Sequence, residues 1–255
     1  MIVRKKIMVA VVMVAIVLLN NIISYGADPA EGNYSYASLN GYNYKFRSVL
    51  VVKDGKATAS TNISSRDGRS IPTGYMGVQA RIFKDGILNR YSDWKYNTTA
   101  TTNCYVMTLA LATNSSSVYY SWGYVRIYNG TGENTYLCNA SPRLHGSAYS
   151  LSKTNADEIV TRNSKGEIYG QEPLLEAYGI QPDLIAAIGD NEIHGYVYAE
   201  DLEGFVPNTP EEAIAYQNSH HGISRVINVY DCEGEIVLDT FTIDNTDVDE
   251  NIYFE

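Results

Sequence analysis

The sequence predicts a mainly β protein: an N-terminal antiparallel β-sandwich or open barrel followed by a small α+β module. Three observations carry this. Residues 34–140 run as short alternating apolar and polar stretches separated by turns, with no helical periodicity between them. Helix-start and helix-stop signals are confined to residues beyond 168. Charge divides at the same place: residues 28–150 hold 12 Lys/Arg against 7 Asp/Glu, and residues 151–255 hold 4 against 22. Such asymmetry predicts two units with different surfaces, drawn at 28–142 and 168–244 with a connector at 143–167.

Along the first unit, "YNYKFRSVLVV" puts Tyr42, Tyr44, Phe46, Ser48, Leu50 and Val52 on one face of a strand. "KDGK" turns the chain and "ATASTNIS" returns it. "GVQARIF", "KDG" and "ILNRYSDWKY" repeat the device, since Asp-Gly between alternating runs accepts the positive φ of a tight hairpin. "CYVMTLALAT", "VYYSWGYVRIY" and "TYLCNA", joined by "NSSS" and "NGTGEN", complete about seven strands. Residues 28–150 hold 14 of the 22 tyrosines, so an aromatic face is expected. Tyr120, Trp122, Tyr124 and Arg126 fall on one side of a single strand over 118–128. They are the candidate binding residues: exposed, they would stack on sugar rings or anchor a protein; buried, they would pair across the sheet.

In the second unit, "EPLLEAYG" and "PDLIAAIG" read as two short helical pieces, each ended by a glycine. "HGYVYAEDL" reads as a strand and turn. Thr209, Pro210 and Glu212 form a capping box with proline at the first helical position, so Glu211 and Glu212 are accounted for by a helix start. "SRVINVYDCEGEIVLDTFTI" reads as a hairpin turning at Asp231–Gly234, and 245–255 as a loose acidic tail.

Chemistry is hard to find. Glu211 and His220 are nine positions apart, about 13 Å along a helix, too far to share a metal ion. His145 and His194 fall in a connector and a turn. No His-Glu-x-x-His, G-x-S-x-G elbow, phosphate loop, calcium loop or C-x-x-C is present. No metal or cofactor is therefore expected, and the ionisable side chains are expected to serve local backbone geometry and solubility. Cys104 and Cys138 are expected as buried thiols, with a bridge between them as the alternative.

Arg4, Lys5 and Lys6, the apolar run Ile7–Leu19, and small residues up to Ala27 have the order of a secretory signal, so residues 1–27 are expected to direct export. The run is short for a membrane span, and an uncleaved signal is the only membrane attachment expected. Without these residues the chain carries 16 basic against 29 acidic residues, a net −13, which argues against nucleic acid as partner. The mildly basic first unit can meet an anionic cell-wall polymer.

The stretch "YG…PDLIAAIG…GYVYAEDLEGFVPNTPEEAIAYQ…INVYDCEGEIVLDTFTI", residues 169–243, resembles a C-terminal module of uncharacterised secreted proteins from Gram-positive Firmicutes. The resemblance implies export and an α+β fold, with no established activity. The expected function is an exported non-catalytic protein at the cell envelope, binding an extracellular polymer, carbohydrate or protein. A secreted effector or toxin-like protein and a secreted hydrolase are the alternatives.

Overall fold

The computed structural model describes residues 29–114, 116–144, 160–176 and 179–245. The expected signal at 1–27, His145, most of the connector and the tail beyond Asn245 lie outside the described residues.

The protein is mainly β, as the alternation predicts. One six-stranded sheet joins β1 (Ala30–Glu31), β2 (Ser35–Leu39), β3 (Tyr42–Lys53), β4 (Lys56–Ser65), β9 (Asn103–Met107) and β10 (Leu111–Ala112). A four-stranded sheet joins β5 (Met76–Gln79), β8 (Lys95–Tyr96), β12 (Tyr124–Tyr128) and β13 (Glu133–Leu137). Tyr44, Phe46, Ile63 and Cys104 of the first meet Met76, Val78, Val125 and Ile127 of the second. That apolar layer is what alternation on both sheets requires, because each strand turns every second side chain inward. The Asp-Gly hairpins form as expected, with Asp54 and Gly55, then Asp85 and Gly86, all at positive φ.

The third sheet has nine strands. It takes β6 (Arg81–Lys84), β7 (Ile87–Ser92) and β11 (Tyr119–Ser121) from the first half. From the second come β14 (Thr161–Arg162), β15 (Ile168–Gly170), β16 (Leu184–Ile188), β17 (His194–Tyr198), β18 (Arg225–Tyr230) and β19 (Val237–Asp244). Strand β7 pairs twice with the second half. Leu88 aligns with Ala187 of β16, while Tyr91 and Ser92 align with Ile243 and Asp244 of β19. Since β16, β17, β18 and β19 pair in succession, five strands close into a ring. Leu88, Tyr91, Ile185, Val197, Val229, Phe241 and Ile243 share its core. The units expected on either side of the connector at 143–167 are thus not separate: strands from both build one sheet, and the described residues form one compact unit.

Two expectations are corrected at the level of elements. Residues 184–188, expected within a helical piece, are strand β16, buried along its whole length. A five-residue apolar run is consistent with either element, and three strand partners decide it. The expected single strand over 118–128 is two, because the chain changes sheets between β11 and β12. Gly123 makes the switch. A side chain there would run into the Thr61 hydroxyl and the Gln79 carbonyl, so only glycine fits.

The helices are few. α1 (Glu172–Glu176) and α2 (Ala199–Glu203) are single turns, and α3 (Pro210–His220) is the capped helix. Glu212 N donates to Thr209 Oγ1 at 3.2 Å, and Asn208 N donates to Glu212 Oε2 at 2.9 Å. The reciprocal pair is the predicted capping box, with the returning carboxylate one residue further back.

Candidate functional site

The four candidate binding residues do not form an exposed strip. Tyr120 is buried in the ring core, stacked on Phe83 with centroids 5.2 Å apart. Trp122 is half-buried and donates Nε1–H to the Cys138 carbonyl at 2.8 Å. Tyr124 and Arg126 turn inward from β12 to line a cavity of ≈260 Å³. The correction follows from the sheet switch at Gly123, which sends the two halves of the run to different cores.

That cavity lies where β6, β12, α1 and α2 meet, and its walls include Arg81, Tyr91, Trp94, Tyr124, Arg126, Glu172, Ile185 and Leu202. Arg81 is 1% exposed. Its Nε donates to the Trp122 carbonyl at 2.7 Å, and its Nη1 reaches both Glu172 oxygens at 2.9 and 2.7 Å. Tyr124 donates its hydroxyl to Glu172 at 2.9 Å and lies flat under Arg81, 4.1 Å from ring centroid to guanidinium carbon. Burial opposes the Arg81 charge and the Glu172 carboxylate outweighs it, so the guanidinium is held charged. Arg126, equally buried, lies 4.0 Å over the Trp94 ring. Its bonds are long: 3.2 Å to the Phe205 carbonyl, 3.4 Å to the Tyr96 hydroxyl and 3.5 Å to Glu203. Glu133 is 3.7 Å away and accepts from Tyr96 at 2.8 Å. Burial pushes its carboxyl up to about 7. Burial likewise raises the Tyr124 hydroxyl and the Glu176 carboxyl.

A second hollow, ≈290 Å³, is lined by Asp93, Asp244, His221, Lys95, Gln217 and Asn245 among others. Here the expectation of purely local roles is corrected, since an imidazole and two carboxyls share one concavity. Asp244 is buried and its Oδ2 has no hydrogen-bond partner. Burial pushes its carboxyl up to about 6. His221 is exposed at the end of α3. Among the described residues no three His, Cys, Asp or Glu side chains are placed to hold a metal ion. His194 begins β17 and is exposed, and His220 binds the Tyr216 carbonyl at 2.9 Å and stacks on its ring.

An exposed aromatic and basic surface lies elsewhere. Register across the six-stranded sheet sets Tyr36, Lys45, Ser64 and Asn103 in one rung and Arg47, Asn62 and Tyr105 in the next. These side chains face solvent because their neighbours Tyr44, Phe46, Ile63 and Cys104 fill the core. Tyr36 is 59% exposed and Tyr34 36%. Lys45 and Arg47 sit over the Tyr34 ring at 4.8 and 4.5 Å, Arg66 over Tyr36 at 5.1 Å, and Lys95 over Tyr105 at 5.6 Å. Arg69 lies 5.2 Å over Tyr42 at the sheet edge. Glu31 holds Arg47 through a bidentate pair, and Asp67 holds Arg69. The signal was present in the sequence: cations at alternate positions on "YKFR" fall opposite tyrosines once the hairpin register is known.

Comparison with family models, with curated proteins and with solved structures returns no match.

Proposed function

We propose that this is an exported, non-catalytic protein that binds an anionic polymer of the cell envelope through the solvent face of β2, β3, β4 and β9. The observation that carries this reading is the set of cations stacked on exposed tyrosines across that face. Flat rings stack on sugar rings, and adjacent ammonium and guanidinium groups take the repeated charges of the polymer. Lys45, Arg47, Arg66 and Lys95 stack on tyrosines of that face, where Glu31 pairs with Arg47, and Arg69 lies at its edge over Tyr42, paired with Asp67. Asn43, Asn62, Ser64 and Asn103 add hydroxyl and amide partners for a polyhydroxylated chain. Export rests on the signal-like residues 1–27 and on the resemblance of residues 169–243 to secreted proteins.

The test is co-sedimentation of the full chain with purified Gram-positive cell wall. Salt-sensitive retention is expected, lost when Lys45, Arg66 and Arg69 are replaced together by Gln. Absence of retention, or equal retention by the triple variant, sinks the reading.

A secreted hydrolase is a second reading, favoured by the hollow that Asp93, Asp244 and His221 share. Its test is turnover of chromogenic ester and glycoside substrates, abolished by Asp244→Asn. No turnover across both classes removes it.

A further inference from the structure

The chain leaves the described fold at the margin of the tyrosine–cation face. Strand β19 ends at Asp244, whose carbonyl accepts from Asp93 N at 2.6 Å. Asn245 is pinned beside it: its carbonyl accepts from Gly222 N at 2.9 Å, and its side-chain amide donates to the His220 carbonyl at 2.5 Å. Both residues share the second hollow with Lys95 and Val106. Lys95 reaches from β8 to the ring of Tyr105 on β9, and Tyr105 opens the rung that runs through Asn62 to Arg47. Asn245 therefore stands on the β9 side of that face, with β4, β3 and β2 following in order.

The residues that come next match what the face offers. Residues 246–255, "TDVDENIYFE", carry four acids, Asp247, Asp249, Glu250 and Glu255, and no Lys or Arg. Tyr253 and Phe254 add two rings. On the face, Glu31 pairs with Arg47 and Asp67 with Arg69, but Lys45 and Arg66 have no carboxylate partner among the described residues. The half of the chain to which the acidic segment belongs repels it, since residues 151–255 hold 4 Lys/Arg against 22 Asp/Glu. Reach is sufficient. Neighbouring strands lie about 4.8 Å apart, which puts β3 about 10 Å in from β9. An extended chain spans about 3.3 Å per residue, so Asp249 and Glu250 can lie roughly 13 to 17 Å beyond Asn245.

We propose that residues 246–255 lie across the solvent face of β9, β4 and β3 of their own molecule, with Asp249 and Glu250 against Lys45 and Arg66. A segment tethered this closely acts at an effective concentration on the order of mM, so contacts too weak to hold a free peptide suffice. The docking itself does not need the polymer. Its consequence rests on the polymer-binding reading: an anionic polymer must displace the segment to reach the face.

Carbodiimide cross-linking of the full chain tests the docking, because it joins a lysine amine to a carboxylate only where the two touch. An equal mixture of ¹⁴N and ¹⁵N protein separates links within one molecule from links between two. A link from Lys45 to Asp249 or Glu250 is expected, confined to peptide pairs of one isotope and weakened several-fold in about 0.5 M NaCl. A link at Lys95 but none at Lys45, a Lys45 link that mixes isotopes, or no link to residues 246–255 overturns the inference. The second measurement is co-sedimentation with purified cell wall at low salt. Asp247→Asn, Asp249→Asn and Glu250→Gln, made together, are expected to tighten binding about tenfold. Glu192→Gln, Glu200→Gln and Glu235→Gln make the same charge change at exposed positions elsewhere and are expected to leave affinity within about twofold. Measurable affinity that is equal in the parent and the first triple variant, or an equal gain in the second, also overturns the inference. The two readings fail separately: a Lys45 link without wall retention in any protein leaves the docking and removes the polymer, and retention without the link does the reverse.

Discussion

Arg81 and Glu172 are separated by 91 residues and meet as a buried ion pair, with one guanidinium nitrogen 2.9 and 2.7 Å from the two carboxylate oxygens. Removing one partner leaves the other charged and dry. Arg81→Met is expected to cost about 3–5 kcal/mol, and adding Glu172→Met to restore most of it, because desolvation of both charges is then avoided. Urea unfolding of the three proteins checks this; equal loss in the single and double variants contradicts it.

Asp244 controls stability in the opposite sense to a salt-bridged acid. Its carboxyl is raised from 3.8 to about 6, so between those pH values the folded chain holds a proton that the unfolded chain has released. Stability therefore falls as pH rises through that window. Glu133, raised from 4.5 to about 7, adds to the same slope. Asp67, held near 2 first by the Ser65 hydroxyl, acts the other way, its contribution lost only as pH drops below about 4. Asp244→Asn is expected to be more stable than the parent at pH 8 by on the order of 2 kcal/mol, with the gap closing near pH 4. Thermal unfolding across that range measures it.

Cys104, Cys138 and Cys232 are all free thiols. Burial pushes Cys104 and Cys138 up to about 12, and Cys232 is only half-buried. A thiol reagent is expected to label Cys232 alone in the native protein, and all three after unfolding without reductant. A native count of zero or three shows otherwise.

Gly123→Ala places a methyl group against the Thr61 hydroxyl and the Gln79 carbonyl, both in packed strands. A loss of about 2–3 kcal/mol or failure to fold is expected. Thr209→Ala, which removes one capping acceptor from α3, is expected to cost about 1 kcal/mol. Denaturant midpoints rank the two, and a milder effect at Gly123 than at Thr209 would contradict the close-approach argument.

Local chemistry made the hairpins at Asp54-Gly55 and Asp85-Gly86 and the start of α3 readable in the sequence, because each depends on a few neighbouring residues. Residues 184–188 were not readable as a strand, since their neighbours β15, β17 and β7 decide it and the last is drawn from almost 100 residues away. The cavity was half legible. Tyr124 and Arg126 stood out as part of an aromatic run, but Arg81, Trp94 and Glu172 looked like ordinary strand and helix residues. A buried charge leaves no mark in a sequence until its partner is placed beside it. The tyrosine–cation face was missed for the same reason: stacking happens between strands, and alternation alone reports one strand at a time.

The ring around β7 has a consequence for how the molecule comes into being. Tyr91 and Ser92 wait for Ile243 and Asp244, and Leu88 waits for Ala187. A nascent chain that has emerged only as far as residue 236 leaves one flank of β7 without its final neighbour, so closure comes last during synthesis. Truncation anywhere before residue 244 is then felt at residue 91, in the middle of the molecule.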